Sequence, residues 1–294
     1  LTHRIAHLIA TGVKPEQILA ITFTNKAAAE LRERLKTILQ THVSPTTNLP
    51  TATTFHSLGV QILRLYGEAI GIKPPFAIID RGDQEQLVKE ILKDLGFDNE
   101  QWTPGKVVSY ISNRRSNRAA PLPALEPIVD RYGILKTQRS VLDFDDLLFK
   151  TNELLTNQPS VRQSLNQRWS HLHVDEYQDT NSTQYELVQM LTGTENNVCA
   201  VGDTDQTIYT WRGAEIRNLM QFEKDFPNTK TVLLEQNYRS SKTIIAVAND
   251  CIAKNQTRID KTLFTNNPDG ETISVLLGSD EIDEARQIAY NVQD

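Results

Sequence analysis

The stretch Ile18-Leu19-Ala20-Ile21-Thr22-Phe23-Thr24-Asn25-Lys26-Ala27-Ala28-Ala29-Glu30-Leu31 decides the fold. Its first six residues are a short apolar run rich in β-formers, the pattern of a buried strand. Thr24 and Asn25 then act as helix caps. Lys26 to Gln40 reads as a helix with Ala27, Leu31, Leu35 and Leu39 on one face. The same strand–loop–helix unit recurs along the chain. Thr51–Phe55 leads into His56–Gly67, Leu172–Asp175 into Ser182–Leu191, and Val198–Gly202 into Ala214–Phe222. Thr231–Leu234 leads into Ser240–Lys254. Strands alternating with helices of this length predict an α/β fold, a parallel sheet with helical crossovers. Ligands of such sheets sit at the carboxyl ends of the strands, where the polar clusters of this sequence fall.

Between Asp80 and Val141 the strand pattern stops. Gln84–Leu95 and Pro104–Ser112 have helical periodicity, and Ala119-Ala120-Pro121-Leu122-Pro123 interrupts it, so a helical insertion is expected. From Lys106 to Arg139 it carries Lys106, Arg114, Arg115, Arg118, Arg131, Lys136 and Arg139 against only Glu126 and Asp130. A solvated helix face and a nucleic-acid patch both fit that excess. The whole chain, with 39% apolar and 23% charged residues and a net charge of -6, is no histone-like binder. Its 294 residues suggest about two domains at ~150 residues each. The longest apolar run falls far short of the ~20 residues that cross a bilayer. No basic-then-apolar leader stands at Leu1. Cys199 and Cys251 lack metal-ligand spacing, and the expected compartment is the cytosol.

Three clusters carry chemistry. The first is His173-Val174-Asp175-Glu176-Tyr177-Gln178-Asp179-Thr180-Asn181. A strand ending in Asp-Glu sets two carboxylates at the sheet's ligand edge. One can hold Mg²⁺, which keeps several waters and takes one or two carboxylates plus phosphate oxygens, while the other orients and deprotonates a water. A strand end with solvated acids is the alternative for the bare pair, and the longer string argues against it. The second is Gly202-Asp203-Thr204-Asp205-Gln206-Thr207-Ile208-Tyr209-Thr210-Trp211-Arg212-Gly213-Ala214. There Gln206 can reach a terminal phosphate or its attacking water. Tyr209, Trp211 and Arg212 offer flat π-surfaces and a cation for base stacking, or else belong to the core. The third is Gln236-Asn237-Tyr238-Arg239-Ser240, an Arg at a strand-to-helix turn suited to charge on a transferring phosphoryl group. An ordinary surface ion pair is its bland reading.

The ordered series resembles the UvrD/Rep/PcrA family of superfamily I DNA helicases, ATP-driven motors that move 3′ to 5′ on single strands. Ile21-Thr22-Phe23-Thr24-Asn25-Lys26-Ala27-Ala28 is similar to the family's motif Ia and Thr54-Phe55-His56-Ser57 to its motif Ib. Leu142-Asp143-Phe144-Asp145-Asp146-Leu147-Leu148 is similar to the signature on the return from the family's helical insertion. The three chemical clusters are similar to motifs II, III and IV. The resemblance implies a RecA-like sheet and four segments. Residues 1–79 and 142–229 would form the first RecA-like domain, 80–141 a helical accessory insertion, and 230–294 the start of a second RecA-like domain. It also implies ATP and Mg²⁺ as cofactors, single-stranded DNA and single/double-strand junctions as partners, and service in repair or replication restart.

Roles follow from the resemblance at matching positions. Asp175 would ligate Mg²⁺, Glu176 would be the catalytic base, and Gln206 would sense the γ-phosphate. Arg239 would act as an arginine finger while Tyr238 stacks on adenine. Phe55, Tyr209 and Trp211 would stack on DNA bases, with Thr24, Asn25, His56 and Arg212 lining the track. The family's loop G-x-x-x-x-G-K-[ST] does not occur in these 294 residues, whose one Gly-Lys pair is Gly105-Lys106 followed by Val107. The family's motifs V and VI would lie past Asp294. The expectation is a partial motor core, inactive on its own. A catalytically inactive single-strand-binding relative is the second reading, and a metal-dependent nuclease built on Asp143, Asp145, Asp146, Asp175 and Glu176 is the third.

Overall fold

The computed structural model describes residues 1–42, 48–97, 101–116, 118–193, 197–210 and 213–293. They divide into two units, Leu1–Phe226 and Pro227–Asp294.

The first unit is built on a four-stranded parallel sheet. Its strands are β1 (Ile18–Thr22), β2 (Thr51–Thr54), β5 (His171–Val174) and β6 (Val198–Ala200), in the order β2-β1-β5-β6. Register is set by Leu19 opposite Thr51 and Leu172, and by His173 opposite Cys199. β1 is an unbroken apolar run because both of its faces are covered. Ile18 and Ala20 pack with Ile5 and Ile9 of α1 (Thr2–Ala10) and with Leu31, Leu35 and Leu39 of α2 (Asn25–His42). On the opposite face, Leu19 and Ile21 join a core with Leu58, Ile62 and Leu63 of α3 (Phe55–Tyr66). The two-faced strand and its amphipathic helices are therefore the expected crossover units. The later unit is shorter than its apolar pattern suggested, with β6 ending at Ala200 and a helix only at Ile216–Met220.

The insertion springs from a second, two-stranded parallel sheet of β3 (Ala77–Ile79) and β4 (Val141–Asp143). Between them lie α4 (Arg81–Asp94), α5 (Pro104–Arg115) and α6 (Glu126–Gln138). Asp80 and Asp83 form a reciprocal capping box that starts α4. Leu87, Val88 and Ile91 of α4 face Val107, Val108 and Ile111 of α5 and Ile128 and Tyr132 of α6, a core separate from that under the sheet.

A buried charge cluster ties this insertion to α7 (Phe144–Asn157). Asp143 and Asp146 are the cap and third residue of α7 and bond each other's backbone N–H groups. The Lys136 ammonium of α6 sits between both carboxylates, and the Arg115 guanidinium of α5 lies 2.7 Å from Asp146 and 3.5 Å from Asp143. Tyr132 Oη donates to Asp143 at 3.1 Å. Burial and the neighbouring Asp146 charge push Asp143 up. Arg115 and Lys136 hold Asp146 down against the opposing effect of burial. Two carboxylates neutralised by two cations have no charge to offer a metal, so the nuclease reading loses Asp143 and Asp146. Among the described residues no group of three candidate ligands surrounds a metal position.

The remaining elements of the first unit are α8 (Pro159–Arg168), α9 (Ser182–Leu191), α10 (Ile216–Met220) and α11 (Phe222–Asp225). The second unit has α12 (Lys242–Ile252), α13 (Glu281–Gln293) and one parallel bridge, Gln236 to Phe264. Thr231–Leu234 is not a strand, contrary to the expectation. Among the described residues no strand of either sheet pairs with it, and Val232, Leu233 and Leu234 are exposed. Among the described residues no helix is long and apolar enough to cross a membrane.

Candidate active site and strand track

β1 and β5 lie side by side and their ladder continues one residue past β5, with Asp175 N–H donating to Ile21 C=O at 2.9 Å. On the other side Val201 N–H reaches Val174 C=O, and Tyr177 N–H reaches Val201 C=O, each at 2.9 Å. Asp175 and Glu176 are thereby fixed at the carboxyl edge. Asp175 is half-buried, and burial plus the adjacent Glu176 charge raise its carboxyl above the usual range. Among the described residues neither acid has a Lys or Arg partner within 4 Å, unlike Asp143 and Asp146. An acid pair short of a cation fits Mg²⁺, which takes one or two carboxylates alongside phosphate oxygens.

Glu176 stands at φ 51°, ψ 44°, the left-handed region, at the start of a short 3₁₀ turn Tyr177–Asp179. A non-glycine residue there costs on the order of 1–3 kcal/mol and persists when its surroundings over-determine it. Here the surroundings are Gln178, whose Nε2 donates to Glu176 Oε2 at 2.8 Å. Gln178 Oε1 accepts from Asp203 N–H at 3.0 Å, and Asp203 Oδ2 accepts from Gln206 Nε2 at 2.8 Å. The four residues form one relay from the β5 edge to the loop after β6. Gly202 lets it pass: a Cβ there would meet Gln178 Oε1 at 2.9 Å. The sequence pattern singled out Glu176 and Gln206 but missed Gln178 and Asp203 between them. Their signal was available in the two acidic–amide strings, but only the fold brings the strings together.

The same loop is anchored a second time. Thr180 C=O accepts from Glu215 N–H at 3.1 Å and from Asn218 Nδ2 at 3.0 Å. Tyr177, fully buried, packs edge-to-face on Phe222 with ring centroids 5.3 Å apart.

Tyr209 stacks on Phe23 at 5.3 Å with 27° between ring planes, so the end of β1 and the loop after β6 share one aromatic surface. Thr24 caps α2 by accepting from Ala27 N–H at 3.1 Å. The Asn25 side-chain oxygen accepts from the hydroxyls of Thr54 and Ser57 at 3.3 and 3.4 Å, joining the ends of β1 and β2. His56 is half-buried. Burial lowers its pKa against the opposing charge of Asp145, and its ring meets Phe144 edge-on at 5.8 Å. Trp211 and Arg212 lie outside the described residues.

Phe55 is a correction. It is 2% exposed and packs in the core under the sheet, so its ring has no face for a base. As the first residue of α3 it turns inward with Leu58 and Ile62, the same helical face. The exposed aromatic at this place is Phe144, 49% exposed at the start of α7. It stood in the Leu142–Leu148 string, whose acids drew attention away from the ring.

In the second unit Asn237 Oδ1 accepts from both Arg239 N–H at 2.9 Å and Ser240 N–H at 2.8 Å, a turn that presents Tyr238 and Arg239 outward. Tyr238 is 78% exposed and its hydroxyl donates to Gln236 Oε1 at 2.8 Å. Arg239 has no carboxylate within 4 Å among the described residues.

Comparison with known proteins agrees with this architecture. Residues 1–227 match the UvrD/REP helicase N-terminal domain, and residues 232–294 match the UvrD-like helicase C-terminal domain. The chain is similar to the ATP-dependent DNA helicase PcrA of Leuconostoc citreum, 44% identical over 306 residues, which cover 100% of this chain and 40% of that protein. It is also similar to the PcrA helicases of Bacillus subtilis (42% over 306 residues) and Staphylococcus aureus strain COL (41% over 304 residues). Each of these two alignments covers 99% of this chain and 41% of the relative. The chain thus spans about two fifths of the length of these relatives.

Proposed function

The chain belongs to the UvrD/REP helicase family, and from that premise we propose that it forms part of an ATP-driven DNA motor. The motor couples ATP hydrolysis to 3′-to-5′ movement on single-stranded DNA and to opening of single/double-strand junctions, in cytoplasmic repair or replication restart. Residues 1–79 and 142–229 make its first motor domain, 80–141 an accessory insertion, and 230–294 the opening of the second.

The observation that carries this reading is the relay Glu176–Gln178–Asp203–Gln206. A carboxylate base and an amide sensor held on one hydrogen-bonded chain serve phosphoryl transfer to water, and a simple binding module has no use for the pair. Asp175 would hold a Mg²⁺ ion, which would supply charge neutralisation to the nucleotide's phosphate oxygens. Glu176 takes the proton of the attacking water, while Gln206 orients that water against the terminal phosphate. Tyr238 stacks on adenine and Arg239 stabilises the charge that develops on the transferring group. Along the strand Thr24, Asn25, His56 and Arg212 contact the backbone, and Tyr209 and Trp211 stack on bases. Phe144 supplies the further ring that Phe55 does not.

The test replaces the matching span of Leuconostoc citreum PcrA with this chain. Strand-stimulated ATP hydrolysis by the chimera supports the motor. Strand binding without hydrolysis supports instead the inactive binding relative. The 294 residues by themselves contain no G-x-x-x-x-G-K-[ST] cradle for phosphates, so they bind strand without turning over ATP. Steady strand-stimulated turnover by the isolated chain contradicts that expectation.

A further inference from the structure

The insertion sends one arginine onto the loop after β6. Arg118 follows α5, and its backbone is fixed there. The N–H groups of Arg118 and Ala119 both donate to Asn113 C=O, at 2.8 and 3.2 Å. From this anchor the side chain lies flat against Gly213. A Cβ at Gly213 would stand 3.0 Å from Arg118 Nη1, 3.3 Å from Cζ and 3.6 Å from Nε. Gly213 also has φ +88°, so glycine serves both the turn and the guanidinium's approach. The turn is closed by Gly213 N–H to Thr210 C=O at 2.9 Å and Ala214 N–H to Tyr209 C=O at 3.2 Å. Arg118 therefore rests on the loop that presents Tyr209 and Phe23 as one stacked surface.

Three neighbouring arginines of the insertion are engaged by carboxylates. Arg114 lies 3.6 Å from Glu126, Arg115 is held by Asp143 and Asp146, and Arg139 lies 2.6 Å from Glu90. Arg118 is exposed and has no carboxylate within 4 Å among the described residues. A planar cation beside an aromatic platform is the arrangement that holds a phosphodiester backbone while bases stack. We propose that Arg118 is a strand-positioning residue. Its guanidinium binds the phosphate backbone of single-stranded DNA where the strand crosses the Tyr209 loop. The assignment rests on the strand-binding reading above and adds a contact from the insertion to it.

The experiment measures anisotropy of a labelled oligo-dT, and of a mixed-sequence strand of equal length, against the isolated chain over a series of salt concentrations. Arg118→Ala is compared with Arg118→Lys, Arg118→Gln and the charge-matched Lys89→Ala on α4, each checked by thermal melting. Arg118→Ala and Arg118→Gln weaken binding about tenfold on both strands, the effect of one charge-assisted bond. They also lower the salt slope by about 0.7, the value for one single-strand phosphate contact. Arg118→Lys keeps the slope, and Lys89→Ala changes neither quantity. An Arg118→Ala or Arg118→Gln protein that melts like the parent and keeps its affinity and slope overturns the proposal. So does an equal loss in Lys89→Ala, which assigns the effect to overall charge. A parent chain that binds neither strand overturns the strand-binding reading itself, and the clamp with it.

Discussion

Gln178 Nε2 donates to Glu176 Oε2 at 2.8 Å, and this bond holds a glutamate whose backbone stands in the left-handed region. The rest of Gln178 is locked, since its Oε1 accepts from Asp203 N–H. A fully buried amide with both ends engaged fixes the carboxylate that the motor reading makes its base.

Gln178→Leu removes both bonds while keeping most of the volume. In the Leuconostoc citreum chimera it lowers kcat for strand-stimulated ATP hydrolysis by roughly tenfold or more, with KM for ATP changed far less. Steady-state kinetics checks this. A change confined to KM removes Gln178 from the relay.

Phe55 and Phe144 separate core from track. Phe144→Ala weakens oligo-dT binding by the isolated chain about 5- to 150-fold, the ~1–3 kcal/mol of one stacked base, and leaves the melting temperature nearly unchanged. Phe55→Ala lowers stability by ~3–5 kcal/mol, as deletion of a buried ring does, in urea denaturation. Equal melting of parent and Phe55→Ala contradicts the burial of that ring.

Trp211 is read as a base platform. The chain has three Trp, at Trp102, Trp169 and Trp211, and Trp169 is buried. Quenching of tryptophan fluorescence by oligo-dT disappears in Trp211→Phe while melting is retained. Quenching that persists in full assigns Trp211 elsewhere.

The charge cluster predicts a pH dependence. At neutral pH Lys136→Met leaves Asp143 and Asp146 sharing only Arg115, and stability falls by ~3–5 kcal/mol. Asp143 already sits above the usual carboxylate range because of burial and Asp146. In the variant it takes up a proton first as pH falls, which relieves the unpaired charge, so the deficit shrinks from pH 7 toward pH 4. Asp146 is held below that range, so its own contribution is present above 3.8 and is lost only as pH falls further. Urea titrations of both proteins at several pH values read the difference. A deficit that grows on acidification contradicts the assignment.

The elements that both position and fill the sheet were legible because periodicity reports burial. Ile18–Thr22 had to be a two-faced strand, and Leu31, Leu35 and Leu39 mark one buried stripe, which Ala28 joins in place of the expected Ala27. Thr231–Leu234 has the same apolar pattern, yet a strand also needs a hydrogen-bonding neighbour, which periodicity does not report. Phe55 misled for a related reason: a residue at a strand-to-helix junction can face either way, and only the packing of Leu58 and Ile62 decides it. The acids Asp143 and Asp146 left a structural and a catalytic role both open until Lys136 and Arg115, distant in a helical insertion, closed around them. Gln178 and Asp203, 25 residues apart, meet only through the parallel pairing of β5 with β6.

The proposed role of Glu176, activation of water in an ATP-driven motor, is tested by Glu176→Gln in the chimera. Phosphate release stimulated by single-stranded DNA is measured beside Mg²⁺-dependent binding of a fluorescent ATP analogue. Hydrolysis falls by about 10²- to 10⁴-fold, the contribution of a positioned general base, while nucleotide binding is retained. Hydrolysis by Glu176→Gln at the parent's rate would contradict that role.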